Sequence, residues 1–280
     1  MELYEAVSLI RKKKNIKIDE VIAEDMSRST FNRYVTGKTD LYSAHLIKIL
    51  DGLRISLDEL QLIANDYSVN NQNLLLMSIK KSFEERDVEQ LVYWEKVCKD
   101  KYKKEGNILY SHGIGLIEIL IARIKKEHVD LHSNVLYQYL IKTETWTRYE
   151  LVMFNNSMFY FNVEAIKNIL PRAIDRLGSY RNFNHYTDEV YRLLSNVIIY
   201  FMQNDDFNSA FHYIQVMEKI ELNEEQIFEK LLSKFFEGIK LLLLNNKEAQ
   251  QHIDKCLQVM EFLELKHLKN MSMSVIEQLS

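Results

Sequence analysis

An all-α fold is predicted by three features of the sequence. The first is the scarcity of turn formers. The 280 residues include 7 Gly and 1 Pro, where average usage would give about 20 and 14. Strand-rich folds need these residues at their turns, so an all-β or doubly wound α/β chain is disfavoured. The second is apolar periodicity. Leu46, Ile49, Leu50 and Leu53 form an i, i+3, i+4, i+7 stripe, the signature of one buried helix face. The third is punctuation. Amphipathic segments of helical length are separated by short polar breaks, from Glu85-Arg86-Asp87 to Asn245-Asn246-Lys247. At roughly 100–200 residues per domain the length suggests two domains.

The first unit, residues 1–65, reads as five short helices. Leu3, Val7, Leu9 and Ile10 begin the first, which ends at the run Arg11-Lys12-Lys13-Lys14. Val21 and Ile22 after Asp19 predict a second helix with an acidic first turn. Ser27 is an N-cap for a third, Ser-Arg-Ser-Thr-Phe-Asn-Arg-Tyr-Val-Thr, which Gly37 ends. The stripe from Leu46 to Leu53 is the fourth. Ser56 caps a fifth carrying Leu57, Leu60 and Ile63, with Glu59 placed for a capping box. The second and third helices, joined by about three residues, predict a helix-turn-helix. In that motif Met26, Phe31, Tyr34 and Val35 face inward. Ser27, Arg28, Ser29, Thr30, Asn32 and Arg33 face outward, and these residue types reach phosphates and base edges. Lys38 and Thr39, with Arg11, Lys12 and Lys13, are placed for the DNA backbone.

Charge leaves that reading open. The chain has 36 basic and 40 acidic side chains, net −4, which excludes a protein wrapped in nucleic acid along its whole length. Residues 1–65 are neutral, with 10 basic and 10 acidic residues, yet Arg11 to Lys38 holds eight basic and four. A small helical bundle with an ordinary solvated basic edge is the alternative.

Residues 66–73, Asp-Tyr-Ser-Val-Asn-Asn-Gln-Asn, are polar and turn-prone and read as a linker or a helix start. From 74 to 280 helix follows helix. Breaks stand at Glu85–Asp87, Lys104–Asn107, Lys142–Glu144, Gly178-Ser179, Asn204–Asp206, Leu222–Glu224 and Asn245–Lys247. Ala165, Ala210 and Ala249, spaced 45 and 39 apart, each begin a helix. That spacing suits tetratricopeptide-like helix pairs, whose stacking forms a concave groove.

Other classes find little support. Cys98 and Cys256 stand far apart, so neither a disulfide framework nor a paired-thiol metal motif is expected. The acidic start Met1-Glu2-Leu3-Tyr4-Glu5 lacks the features of a leader. The longest apolar stretches are interrupted by charge too soon to cross a bilayer. A cytoplasmic location is the expectation. His128 and His132 fall at i, i+4, where a shared helix face is conceivable, but no third ligand is in view. No phosphate loop, zinc-protease or nucleophile-elbow motif occurs, so neither an enzyme nor a cofactor is expected.

The chain resembles the Rgg/GadR/MutR family of Gram-positive transcription regulators. The residues that carry the resemblance are Ile10–Lys14, Met26–Tyr34 with Gly37-Lys38, Leu46–Asp51 and Ser56–Leu60, and the segment Trp146-Thr147-Arg148-Tyr149-Glu150-Leu151-Val152-Met153-Phe154 followed by Asn155-Asn156. The resemblance implies a homodimer with two DNA-binding domains and a helical-repeat domain that binds a short, re-imported signalling peptide. It places this chain near the peptide-pheromone receptors. Asp25 and Met26 stand where many helix-turn-helix turns have Gly, which puts the pose of the recognition helix in question. With no cysteine in 1–65, a disulfide between two DNA-binding domains is unavailable.

A bound peptide needs its backbone donors and acceptors satisfied, and a side-chain amide serves both. Asn156 and Asn196, 40 residues apart in apolar helices, are the candidate clamps, and their context resembles the family's groove-lining positions. Arg192, one turn before Asn196, and Lys230 and Lys240 are candidate partners for a carboxylate. Tyr160, Tyr186, Tyr200, Phe228 and Phe236 are candidate pocket walls. The expected partners are thus double-stranded DNA with a pseudo-palindromic operator, a signalling peptide, a second copy of the chain and RNA polymerase, with no membrane. The alternative is a regulator whose repeat domain senses a small molecule or protein instead.

Overall fold

The computed structural model describes residues 1–22, 24–68, 71–179 and 186–279, with side chains described outside 71–73, 175–179 and 186–188. Fifteen α-helices and two 3-10 turns, and no strand, occur among the described residues. By backbone contacts the chain divides into Met1–Glu85 and Arg86–Ser280.

In the first unit, α1 (Leu3–Lys13), a 3-10 turn (Ile18–Glu20), α2 (Arg28–Tyr34), α3 (Ser43–Leu53), α4 (Leu57–Ala64) and α5 (Asn71–Glu84) follow one another. The first four α-helices surround one core. Ala6, Val7 and Ile10 come from α1, Phe31 and Tyr34 from α2, Ile49, Leu50 and Leu53 from α3, and Leu60 and Ala64 from α4. Val21 and Met26 complete it. The predicted caps are present. Ser27 Oγ accepts the Thr30 N–H at 3.1 Å, and Ser56 and Glu59 form the capping box. Beyond α2, Gly37 adopts φ +69°. The Lys38 N–H bonds the Arg33 carbonyl and the Gly37 N–H the Tyr34 carbonyl, each at 2.8 Å. These are the two bonds of a Schellman motif. A Cβ at Gly37 would also stand 2.8 Å from the Tyr4 ring.

One element differs from expectation. The predicted second helix is a 3-10 turn, Ile18–Glu20, closed by the Glu20 carboxylate, which accepts the Lys17 N–H at 3.1 Å. Among the described residues of this segment one α-type bond forms, from the Ile22 N–H to the Ile18 carbonyl, which is little to set against the cost of helix nucleation. Two β-branched residues, Val21 and Ile22, further disfavour helix here. Tertiary packing fixes the turn instead. A Cβ on Gly52 of α3 would lie 2.6 Å from the Glu20 carbonyl and 2.7 Å from Val21 Cα, so only glycine admits the turn this close.

The second unit contains α6 (Val88–Glu105), α7 (Ile108–Lys125), α8 (Val135–Lys142), α9 (Arg148–Ser157) with a 3-10 turn (Met158–Tyr160), α10 (Val163–Ser179), α11 (Tyr186–Gln203), α12 (Phe207–Glu218), α13 (Ile227–Leu243), α14 (Ala249–Phe262) and α15 (Lys266–Glu277). Consecutive helices pack as hairpins, notably α6 with α7, α11 with α12 and α13 with α14. The predicted breaks fall at helix ends. Asp87, Asn107 and Asp206 are N-caps whose side chains accept backbone N–H groups. Ala165, Ala210 and Ala249 are buried near the starts of α10, α12 and α14, the alternate helices that the pair repeat requires. An unpredicted break separates α7 from α8. His128 and His132 lie in it, exposed, so they share no helix face. No group of three His, Cys, Asp or Glu able to hold a metal is found among the described residues. No helix among them is long and apolar enough to cross a membrane.

Candidate functional site

Two sets of polar residues were singled out in the sequence, one in each unit. In the first, α2 turns Phe31 (1 % exposed) and Tyr34 (8 %) into the core and leaves Ser27, Arg28, Ser29, Asn32 and Arg33 exposed. Thr30 is half-buried, its hydroxyl 2.9 Å from Ser27 Oγ. Lys38 is exposed and Thr39 half-buried. On α1 the cations divide. Lys12 and Lys13 are exposed. Arg11 turns back, its Nη1 donating to the Ile16 carbonyl at 2.7 Å. Lys14 Nζ donates to the Leu53 carbonyl at 2.8 Å, so it braces α1 against α3.

Two acidic residues edge the exposed face of α2. Asp19, in the 3-10 turn, accepts both Nε and Nη2 of Arg28. The hydrogen bond from Arg28 holds the Asp19 carboxyl below the usual carboxylate range. Asp25 pairs with His45 Nε2 of α3 at 3.1 Å, and that hydrogen bond lowers its carboxyl too. The sequence offered no local signal for either pairing, since the partners are nine and twenty residues apart.

In the second unit the polar set lies on the seam between α9 and α11. Arg148 Nη2 donates to Glu189 Oε1 at 3.2 Å. Asn196 Nδ2 donates to Asn155 Oδ1 at 3.4 Å. Each pair spans 41 residues. Both members step forward seven residues from one pair to the next, so α9 and α11 run parallel here, in step over two turns. Asn155 is 7 % exposed and its Nδ2 has no hydrogen-bond partner. Asn156, the residue read from the sequence, instead donates to the Val152 carbonyl of its own helix at 2.6 Å and is half-buried. Asn155 was missed. The seven-residue step shared by 148/155 and 189/196 is the signal that finds it.

The other candidates separate by burial. Arg192 is exposed and Lys230 half-buried. Phe228 is 48 % exposed. Lys240 is paired with Glu218. Tyr200 is buried and its hydroxyl donates to the Phe161 carbonyl at 2.6 Å. Phe236 is fully buried. The Tyr160 hydroxyl donates to the Glu127 carbonyl at 3.1 Å. The side chain of Tyr186 lies outside the described residues.

The structure therefore presents a first unit in which α2, preceded by a 3-10 turn, exposes a polar, cationic face, and a second unit of stacked helix pairs with an amide seam. The family model described as the C-terminal domain of the HTH-type transcriptional regulator Rgg matches residues 95–273, and the chain belongs to the Rgg family of transcriptional regulators. Solved structures similar to it include a candidate transcriptional regulator from Listeria monocytogenes EGD-e. It is 18 % identical, with a TM-score of 0.84 over 99 % of this chain and 96 % of that one. The SHP pheromone receptor Rgg2 from Streptococcus dysgalactiae is 19 % identical, with a TM-score of 0.78 over 98 % of each chain. A bacterial peptide pheromone/receptor complex matches at 14 % identity and a TM-score of 0.70, over 99 % of this chain and 98 % of that one. At these identities the likeness is one of fold.

Proposed function

We propose that this Rgg-family chain is a sequence-specific DNA-binding regulator whose helical-repeat region binds a short intracellular signalling peptide. The DNA half rests on one observation: α2 buries Phe31 and Tyr34 while Arg28, Asn32 and Arg33 stand exposed on its other side. In this reading residues 1–65 bind DNA, 66–73 link, and 74–280 bind peptide and dimerise. Lys12, Lys13, Lys38 and Thr39, with the Nη2 of Arg11, meet phosphates. Ser27, Arg28, Ser29, Thr30, Asn32 and Arg33 meet the major groove. A homodimer reads a pseudo-palindrome. The peptide lies along Asn155, Asn156 and Asn196, with Arg192 and Lys230 for its carboxylates and Tyr186 and Phe228 for its apolar side chains. The unpartnered Asn155 Nδ2 supports this, since a buried donor without a partner is costly unless a ligand satisfies it. Peptide binding alters DNA binding, or contact with RNA polymerase, through differential affinity for two dimer arrangements. No catalytic step, cofactor or membrane insertion belongs to this mechanism.

Mobility shifts at two salt concentrations test the DNA half. Asn32→Ala and Arg33→Ala are expected to weaken operator binding by about 5- to 100-fold each. Indifference of both, with wild type binding, removes α2 from the groove. Fluorescence anisotropy with labelled peptides tests the other half, with Asn196→Ala and Arg192→Ala losing affinity. Failure of every apolar oligopeptide to bind, with a small molecule or protein binding instead, overturns it.

A further inference from the structure

The Arg28 guanidinium has five N–H donors in a rigid fork. Asp19 takes one of its two bidentate edges, with Oδ1 on Nε and Oδ2 on Nη2. Three donors remain, two on Nη1 and one on Nη2, and one from each nitrogen forms the second bidentate edge. The side chain is 67 % exposed. The carboxylate stands on a firm base. Asp19 lies in a 3-10 turn closed by the hydrogen bond from the Lys17 N–H to the Glu20 carboxylate, and that turn is seated on Gly52 with no room for a Cβ. Arg28 is the first residue of α2, fixed through the Ser27 cap.

Stability does not account for this pair. Exposed ion pairs contribute little, because water screens them and two side chains lose rotamer freedom. A carboxylate at the edge of a DNA-binding face also repels phosphates, so it lowers sequence-independent attraction. What the pair does supply is orientation. A free arginine samples many rotamers, whereas one held along its Nε–Nη2 edge presents the Nη1–Nη2 edge in one plane. Two parallel donors of that spacing match O6 and N7 of guanine in the major groove. We infer that Asp19 is a positioning residue that makes Arg28 a guanine reader, so that each half-site carries one guanine chosen by the Asp19–Arg28 couple. This rests on the proposed docking of α2 in the major groove.

The test is selection of binding sites by the full-length protein from randomised duplexes, with affinities then measured on the selected site and its single-base variants. Wild type is expected to favour guanine at one position per half-site by about 10-fold or more. Arg28→Ala removes that preference. So does Arg28→Lys, a point charge that cannot span both acceptors. Asp19→Ala also relaxes it to near equality, while overall affinity for duplex DNA holds or rises. Asp19→Asn keeps one acceptor and falls between. Melting curves on each variant check the fold. If Asp19→Ala binds more tightly with its guanine preference intact, Asp19 is a competitor of DNA and the inference falls. If Arg28→Ala selects the wild-type site, Arg28 reads no base and the inference falls while DNA binding stands. If wild type selects no sequence, the proposed function falls and takes the inference with it.

Discussion

The exposed face of α2 and the seam between α9 and α11 use similar polar side chains in opposite settings. On α2 the amide and guanidinium groups sit in water, and their binding strength depends on screening and charge. On the seam Asn155 and Glu189 are buried, at 7 % exposure each, and their hydrogen bonds act at low dielectric, where an unmade bond is costly. The contrast teaches that a long-range, salt-sensitive ligand suits the first surface. A ligand that trades backbone hydrogen bonds for side-chain ones suits the second.

The largest expected effect separates scaffold from surface. Phe31→Ala removes the buried anchor of α2 and is expected to cost about 3–5 kcal/mol in denaturant unfolding, abolishing DNA binding although Phe31 touches no DNA. A variant that unfolds like wild type would show that α2 is not held by its apolar side. Next is Asn155→Leu. The leucine removes a buried, unpartnered Nδ2 but also the Oδ1 that accepts from half-buried Asn196, so the opposed effects are expected to change stability by about 1 kcal/mol or less, while peptide affinity drops about 10-fold. Equal losses of stability and affinity would make Asn155 a structural residue only.

Smaller effects sharpen the comparison. Lys12→Ala is expected to lower the slope of log affinity against log salt by about 1, uniformly across sequences. Arg11→Ala lowers it less, since Arg11 is engaged with Ile16. Equal slopes for the two would mean that the Ile16 contact opens on DNA. The smallest is a pH dependence in the repeat unit. His112 is buried against Tyr139 and Tyr149, with Nδ1 2.7 Å from the Tyr149 hydroxyl. Burial pushes its pKa below the ordinary value. The unfolded chain therefore binds this proton more readily than the folded one. The contribution is fully present above about pH 6.5 and is lost as pH falls from there through the lowered folded pKa. Melting temperature is expected to decline over that window, and His112→Phe to flatten the decline. An unchanged slope in the variant would assign the proton elsewhere.

Several helix boundaries were legible from a cap or a turn former, as at Ser27, Gly37, Ser56 and Asp206. The loop of α7 to α8 was not, because Lys126 to Asn134 has no Gly or Pro and its stop lies in tertiary contacts. Asn134 Nδ2 bonds the Gly115 carbonyl while its Oδ1 caps α8. Of the residues on the seam, Asn196 was singled out in the sequence, while Asn155 was passed over for its neighbour Asn156. Neighbouring positions on a helix differ by about 100° in direction, so Asn155 and Asn156 look alike in sequence until the neighbouring helix is in place.

By itself the sequence determined the helical class, the caps and the two sides of α2, because these follow from local periodicity and from backbone groups satisfied within a few residues. The tertiary structure alone decided that residues 18–20 wind as a 3-10 turn against Gly52, that Asp19 reaches Arg28, that Lys14 is tied to the Leu53 carbonyl, and that Asn196 meets Asn155. Each of these depends on a partner brought close by packing, and a one-dimensional pattern carries no record of such distances.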